Sequence, residues 1–457
     1  MITHNIKAGR GDFKRGIHPP AQKQLSKDNP VVPLPLPQKV SVPVLQHTGA
    51  PCDSKVKPRQ KVTLGELLGE STAFISAPIH APVKGTVAMP AMTTLPNGRH
   101  MACIPIQSDS DSPDPKHVWD DLISFSWPKA GLDSYEAVTI VEDVKKAGIV
   151  GLGGAAFPTH VKLTWNEKKP VDVLLINGCE CEPYLTNDDR LMMEASSSIV
   201  TGALLAARAV KVKTIMVAIE DNKPESIRKM RETADGTGIQ IIPVHTKYPM
   251  GGERQVVPAV LGREVPTGGL PLDVGVVVIN VGTASSIACA VIKKQPLTHR
   301  VITVTGRGVK QPNNLFVPIG ISYKEAIDFC GGLTQDAKRV ISGGPMMGFT
   351  IGDLETPITK GTSGVVVLTE QDLKDSDELN CIRCGRCVDV CPLNLVPTKI
   401  ALSSKYRDWS QAKRHHLMAC CECGCCAYIC PSQIPLVQLI RLGKSLLPKE
   451  EKKGSLP

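Results

Sequence analysis

Aromatic side chains make up only 4% of this 457-residue chain. No apolar run approaches the ~18 residues that a membrane-spanning helix needs. The first shortage excludes the base-stacking surfaces of single-stranded nucleic-acid binders, so nucleic acid is not an expected partner. The second excludes a chain that itself crosses a bilayer. The N-terminal stretch MITHNIKAGRGDF has charges but no apolar segment after them, so no export signal and a reducing cytoplasm are expected. A disulfide framework is not expected either, because ten of the 16 cysteines fall between Cys381 and Cys430. Thiols clustered in this way in a reducing compartment point to metal chemistry.

The net charge of +9 is unevenly spread. Residues 1–60 carry ten Lys/Arg against three Asp/Glu and residues 392–457 ten against four, which leaves the middle of the chain net acidic. The length predicts several compact units. Residues 1–60 hold nine of the 37 prolines, including the run from Val31 to Pro37, and read as an extended basic arm outside any core. Residues 61–110 read as a small β unit, barrel-sandwich-like, built of short strands and turns. Its segment Ala81 to Val87 resembles the hairpin of lipoyl- or biotinyl-carrying domains, but Lys84 lacks the usual neighbours, and a structural turn is expected. Residues 108–134 have linker composition. Residues 135–295 alternate strand-length apolar runs (171–176, 214–219, 239–244, 274–281) with helical stretches, the layout of a mostly parallel α/β sheet. Residues 300–350 read as a small α+β module. Residues 370–445 set the cysteines among short helices, and the last ten residues read as polar and frayed. The fold class is multidomain α/β.

Cys381, Cys384, Cys387 and Cys391 stand in C-x2-C-x2-C-x3-C followed by Pro392, and Cys420, Cys423, Cys426 and Cys430 repeat the pattern before Pro431. Three thiolates at successive spacings of three wrap one corner of a cubane, and the fourth completes the neighbouring cluster. Two [4Fe–4S] clusters are predicted, one on Cys381, Cys384, Cys387 and Cys430, the other on Cys420, Cys423, Cys426 and Cys391. Zinc would want two separated C-x2-C pairs, which leaves the third Cys of each run unexplained. Cys421 and Cys425 fall between ligands and read as small packed thiols. Paired clusters move single electrons, so a second centre must connect them to a substrate.

The loop Gly151-Leu152-Gly153-Gly154-Ala155-Ala156-Phe157-Pro158 supplies backbone N–H groups that close on a phosphate or a flat ring, and Lys162 adds a cation. Gly151-x-Gly153-x-x-Ala156 also fits a Rossmann fingerprint, but only Ile149 and Val150 precede it as apolar residues, too few for the strand that such a turn follows. Downstream, the run 171–176 leads into Asn177-Gly178-Cys179-Glu180-Cys181-Glu182-Pro183, which puts a carboxamide, two acids and two thiols at a strand's C-terminal end, where ligands bind. Other features have plainer readings: His415-His416 as a solvated basic face, Met346-Met347 as packing of the small module, and Ile434 to Leu447 as an amphipathic segment packed on its own domain or lying on a partner or membrane.

GLGGAAFPTHVK, NGCECEP, Tyr248 to Glu253 (YPMGGE) and Ile279 to Thr283 (INVGT) resemble, in order, the FMN and NADH site of the flavin-carrying subunit of respiratory complex I. With the β unit before them, a module similar to the soluble-ligand-binding β-grasp after them and the double ferredoxin motif last, residues 5–445 resemble the RnfC (RsxC) family of the Rnf electron transport complexes. The resemblance implies non-covalent FMN over Gly151, Gly153, Gly154 and Lys162, with Asn177, Asn280 and Thr283 at ring and phosphate edges. It implies that Glu180 and Glu182 accept ribose hydroxyls or the carboxamide of NADH, that Phe157 stacks on adenine, and that Tyr248, Gly251 and Glu253 line the same site. Leu152, His160 and Cys179 stand where complex I has Arg, Gly and an acid. The two glutamates disfavour a 2′-phosphate, which selects NAD over NADP.

The implied activity is that of a translocase-class oxidoreductase subunit. Hydride passes between NAD(H) and FMN, single electrons pass through two [4Fe–4S] clusters, and ferredoxin is the other redox end. Membrane-embedded and peripheral partner subunits would translocate the ion, with this chain peripheral on the cytoplasmic face of the bacterial inner membrane. The alternatives are a soluble NADH diaphorase module of a hydrogenase-like complex, disfavoured by the double cluster motif, and a non-enzymatic electron relay, disfavoured by the intact glycine loop.

Overall fold

The computed structural model describes residues 9–164, 167, 169–373 and 377–452. At its centre a four-stranded parallel sheet runs in the order Gln240–Val244, Thr214–Glu220, Val173–Gly178, Val276–Asn280. Val173, Leu174, Leu175 and Ile176 are all fully buried, as both faces of a helix-covered parallel sheet require. Helices Ser196–Ala209 and Val281–Ile292 cover one face, their small residues allowing close approach: a Cβ on Gly202 would lie 1.7 Å from the Ala284 carbonyl oxygen.

The proline-rich segment is not a free arm. Val31–Pro33 is a parallel edge strand beside Asn313–Pro318, and Lys39–Pro43 pairs antiparallel with His100–Ser108 in the N-terminal β unit. An edge strand spares the ladder hydrogen bonds that proline lacks, while Val31 and Leu34 remain free to bury their side chains. Residues 1–8 of the expected arm lie outside the described residues. The expected linker also carries structure. Asp114 caps helix Pro115–Ser124 by accepting from the Lys116 N–H at 2.8 Å, and buried Trp119 packs on Phe316 with ring centroids 5.2 Å apart.

The small module needs more chain than 300–350. Its sheet orders Val31–Pro33, Asn313–Pro318, His299–Thr305, Gly364–Thr369, Ala337–Ser342 and Phe349–Thr350, so strands from far upstream and downstream complete it. The cysteine region has its own apolar core, into which helix Leu436–Lys452 sends Leu436, Val437, Ile440 and Leu447. That helix carries order well into the stretch expected to fray, and its apolar stripe packs on its own domain. Among the described residues no helix is long and apolar enough to cross a membrane.

Candidate functional site

From Val173–Gly178 the chain builds outward through Thr214–Glu220 and Gln240–Val244 and then returns to the opposite flank as Val276–Asn280. A crevice therefore opens between the carboxyl ends of Val173–Gly178 and Val276–Asn280, and the register sets Asn177 beside Asn280 there. The Asn177 amide nitrogen donates to the Gly251 carbonyl at 2.8 Å, and its oxygen accepts from the Cys179 N–H at 3.1 Å. Asn280 caps helix Val281–Ile292 by accepting from Gly282 N–H at 2.8 Å and Thr283 N–H at 3.4 Å, and its amide donates to Asp188 at 2.6 Å.

The glycine loop is tied to that helix start. Leu152 N–H donates to Thr283 Oγ1 at 2.9 Å, and Gly151 N–H donates to the Phe157 carbonyl at 2.8 Å. Gly153 and Gly154 stay exposed above the strand ends. Gly154 has φ +109°, a region that favours glycine, and a Cβ there would enter open space, whereas one on Gly153 would lie 3.5 Å from Asn280. The loop follows helix Ala137–Lys146 rather than a strand, so it is not a Rossmann turn. Lys162 Nζ, partly exposed, donates to Glu253 at 2.6 Å and to the Val278 carbonyl at 3.1 Å. Phe157 is half-buried beside the loop.

Three residues expected at the nucleotide site, Glu180, Glu182 and Tyr248, bond to other parts of the chain. The Glu180 carboxylate accepts from the N–H groups of Asp188 at 2.7 Å and Asp189 at 3.3 Å, capping helix Asn187–Glu194, with Lys23 at 3.9 Å. Glu182 accepts from Met346 N–H at 3.1 Å and Met347 N–H at 2.8 Å. Burial pushes both carboxyls up to about 7, against the pull of Lys23 on Glu180 and of the two N–H donors on Glu182. Tyr248 is buried and its hydroxyl donates to the Cys423 carbonyl at 2.7 Å. The acids satisfy backbone N–H groups that have no partner within their own turn or helix start. The Met346-Met347 pair likewise serves this turn rather than the small module's core, and Met347 is exposed.

Lys23, Asp188 and the buried pair Lys223–Glu220 at 2.9 Å, with Lys223 also donating to the Cys179 carbonyl at 3.2 Å, support the turn from positions that no local motif marks. A distant lysine facing a motif acid leaves no trace in spacing.

The cysteine runs lie against this turn. A small cavity is walled by Cys391, Cys420, Cys423 and Cys426 together with Cys421 and Cys425, and Gly424 packs on the Met346 carbonyl. Cys425 is fully buried and Cys421 half-buried. Cys381 and Cys384 are exposed, while Cys387 and Cys430 are buried.

Comparison with known proteins follows this layout. Family models match as the RnfC barrel sandwich hybrid domain over residues 11–111, the Nuo51 FMN-binding domain over 144–289, the SLBB domain over 301–350 and the 4Fe-4S dicluster domain over 380–434. The C component of the proton-translocating ferredoxin:NAD(+) oxidoreductase complex of Clostridium ljungdahlii is 43% identical over 95% of this chain and 93% of its own length. The chain belongs to the RnfC family of ion-translocating ferredoxin:NAD(+) oxidoreductase complexes. The RnfC relative from the Na(+)-translocating complex of Acetobacterium woodii is 41% identical over 99% of this chain and 100% of its own length. The relative from the ion-translocating oxidoreductase complex of Rhodobacter capsulatus is 39% identical over 96% and 84%. Among solved structures, an NAD+-reducing [NiFe]-hydrogenase in the H2-reduced state aligns with TM-score 0.49 and 17% identity, covering 72% of this chain and 65% of that chain.

The residues present fit the groups these domains carry. Gly154 opens onto free space at the strand ends, and one cavity is walled by six cysteines, Cys391, Cys420, Cys421, Cys423, Cys425 and Cys426, thiol-rich as iron–sulfur ligation requires.

Proposed function

We propose that this chain is the peripheral NADH-facing subunit of a membrane-bound complex that couples electron transfer between NAD(H) and ferredoxin to ion translocation. The observation that carries this reading is 43% and 41% identity over nearly the whole chain to subunits of such complexes, joined to a glycine loop at a sheet switch point and a second cysteine run docked on Tyr248 and Met346. It favours a member of a larger complex over a soluble diaphorase or a bare relay.

Bound FMN supplies the exchange between hydride and single electrons. Gly153 and Gly154 offer backbone N–H groups to it, Gly151 shapes the loop through its bond to Phe157, Lys162 offers its charge, and Asn177, Asn280 and Thr283 fix the floor. Glu253 holds Lys162 in place, Gly251 holds Asn177, and Phe157 offers a ring face at the loop's end. Cys420, Cys423, Cys426 and Cys391 ligate the cluster on the flavin side, and Cys381, Cys384, Cys387 and Cys430 the cluster that faces a partner. Glu180, Glu182 and Tyr248 keep the strand-end turn and the second cysteine run in register.

Attachment to the cytoplasmic face of the inner membrane comes through protein partners, helped by the basic ends acting on anionic lipid. Salt screens lipid attraction but not an apolar protein interface. The protein should therefore stay on membranes through a high-salt wash when its partners are present and leave them when it is expressed alone. Retention when expressed alone would contradict attachment through partners. The activity is tested by NADH-driven reduction of ferricyanide by the purified chain, which should vanish in Gly154→Val. Full activity in that variant would remove the loop from the site.

A further inference from the structure

A second cavity of about 360 Å³ lies between the flavin domain and the small module, within the size range of small-molecule pockets. One wall is the helix face Gly282, Ser285, Ser286 and Cys289, and the other is formed by residues from Leu297 to Val301 with Phe316. It shares Leu152 with the glycine loop, but Gly153, Gly154, Lys162, Asn177 and Asn280 do not line it. It is therefore separate from the flavin site.

Two polar side chains on its wall are more than nine-tenths buried and lack a partner at one atom: Asn187 Oδ1 and His299 Nε2. The Asn187 amide nitrogen donates to Asp188 at 2.9 Å, which fixes its oxygen as the unpaired acceptor. His299 stacks on Phe316 with ring centroids 5.1 Å apart, its Nδ1 lies 3.0 Å from Thr298 Oγ1, and burial keeps its imidazole neutral, with the pKa lowered to about 3. Three charged side chains line the cavity and each has an opposite partner: Asp121 pairs with Lys293, and Arg300 and Asp188 attract one another. Arg300 donates to the carbonyls of Lys360 and Leu152, and Asp188 accepts from Asn187 and Asn280. An added charge would go uncompensated.

We infer that this cavity is a binding site for a compact, uncharged, mostly apolar ring compound that donates a hydrogen bond through O–H or N–H to Asn187 Oδ1, beside His299 Nε2, which donates or accepts according to its tautomer. Because Leu152 N–H holds Thr283 and its carbonyl receives Arg300, such a ligand reports directly to the glycine loop.

The test is calorimetric titration of the FMN-loaded full chain with 2-naphthol, 2-methylnaphthalene and 2-naphthoate. The expected result is one saturable site for 2-naphthol, about tenfold or more tighter than for either analogue. Ser286→Phe and Val118→Trp, which fill the cavity from different elements, should each abolish that site, and His299→Phe should weaken it about tenfold. Absence of saturable 2-naphthol binding, equal affinity for the methyl analogue, or tighter binding of the carboxylate would each overturn the inference. Unchanged binding in a folded filling variant would do the same. The comparison of analogues is made on the native chain and holds whether or not a variant folds.

Discussion

The two cysteine runs share one spacing and differ in almost everything around it. In the first, Cys381 and Cys384 are exposed among Leu379 and Ile382, which are 62% and 68% exposed. In the second, Tyr248 donates to the Cys423 carbonyl, Lys444 donates to the Cys420 carbonyl at 2.6 Å, and Glu422 pairs with Arg441 at 3.1 Å and Lys444 at 2.7 Å. Spacing decides which atoms ligate a cluster, and tertiary contact decides which way the cluster faces. One run looks inward to the strand-end turn and the other is open to solvent at Cys381 and Cys384.

The sharpest way to break this comparison is to remove one ligand from each run. Anaerobically purified chain should hold about eight iron and eight sulfide, and Cys384→Ser and Cys423→Ser should each lose about half. Only Cys423→Ser should slow electron exchange between flavin and the remaining cluster. Equal slowing in both would erase the inward and outward distinction, and zinc without sulfide would end the cluster assignment. Next in size, Gly154→Val should abolish FMN binding with iron content unchanged, since the loop and the runs belong to different cores.

Smaller effects test the docking. Tyr248→Phe leaves the Cys423 carbonyl without its donor and should cost about 1–2 kcal/mol of stability while FMN is retained. A change below measurement in thermal unfolding would show that the hydroxyl does not hold the run. Glu182 titrates near 7 in the fold, above an ordinary carboxyl, so the folded state binds the extra proton between about 4.5 and 7. Its contribution is then fully present at the acid end and lost as pH rises through 7. Relative to Glu182→Gln, the wild type should lose thermal stability from pH 5 to pH 8, and the opposite slope would refute burial as the dominant influence.

Local chemistry was legible from residue order alone: the two cysteine runs, the glycine loop and the strand-end asparagines are each encoded within a dozen residues. Long-range partnership was not. Glu180 and Glu182 carry the right groups for a ribose, but nothing near them reveals that Asp188, Asp189, Met346 and Met347 present N–H groups to them. Val31 to Pro37 has the composition of an arm because the strand it joins, Asn313–Pro318, lies far along the chain. The small module's sheet extends beyond 300–350 for the same reason, since it takes strands from both sides of that stretch.

The reading turns on NAD(H) exchanging electrons with the clusters through a flavin held by the glycine loop. Anaerobic titration of the purified FMN-loaded chain with NADH, following flavin and cluster absorbance together, tests it most directly. The flavin should bleach with NADH, and Cys423→Ser should retain this bleaching. A flavin that stays oxidised in excess NADH, yet is bleached by dithionite, would contradict it.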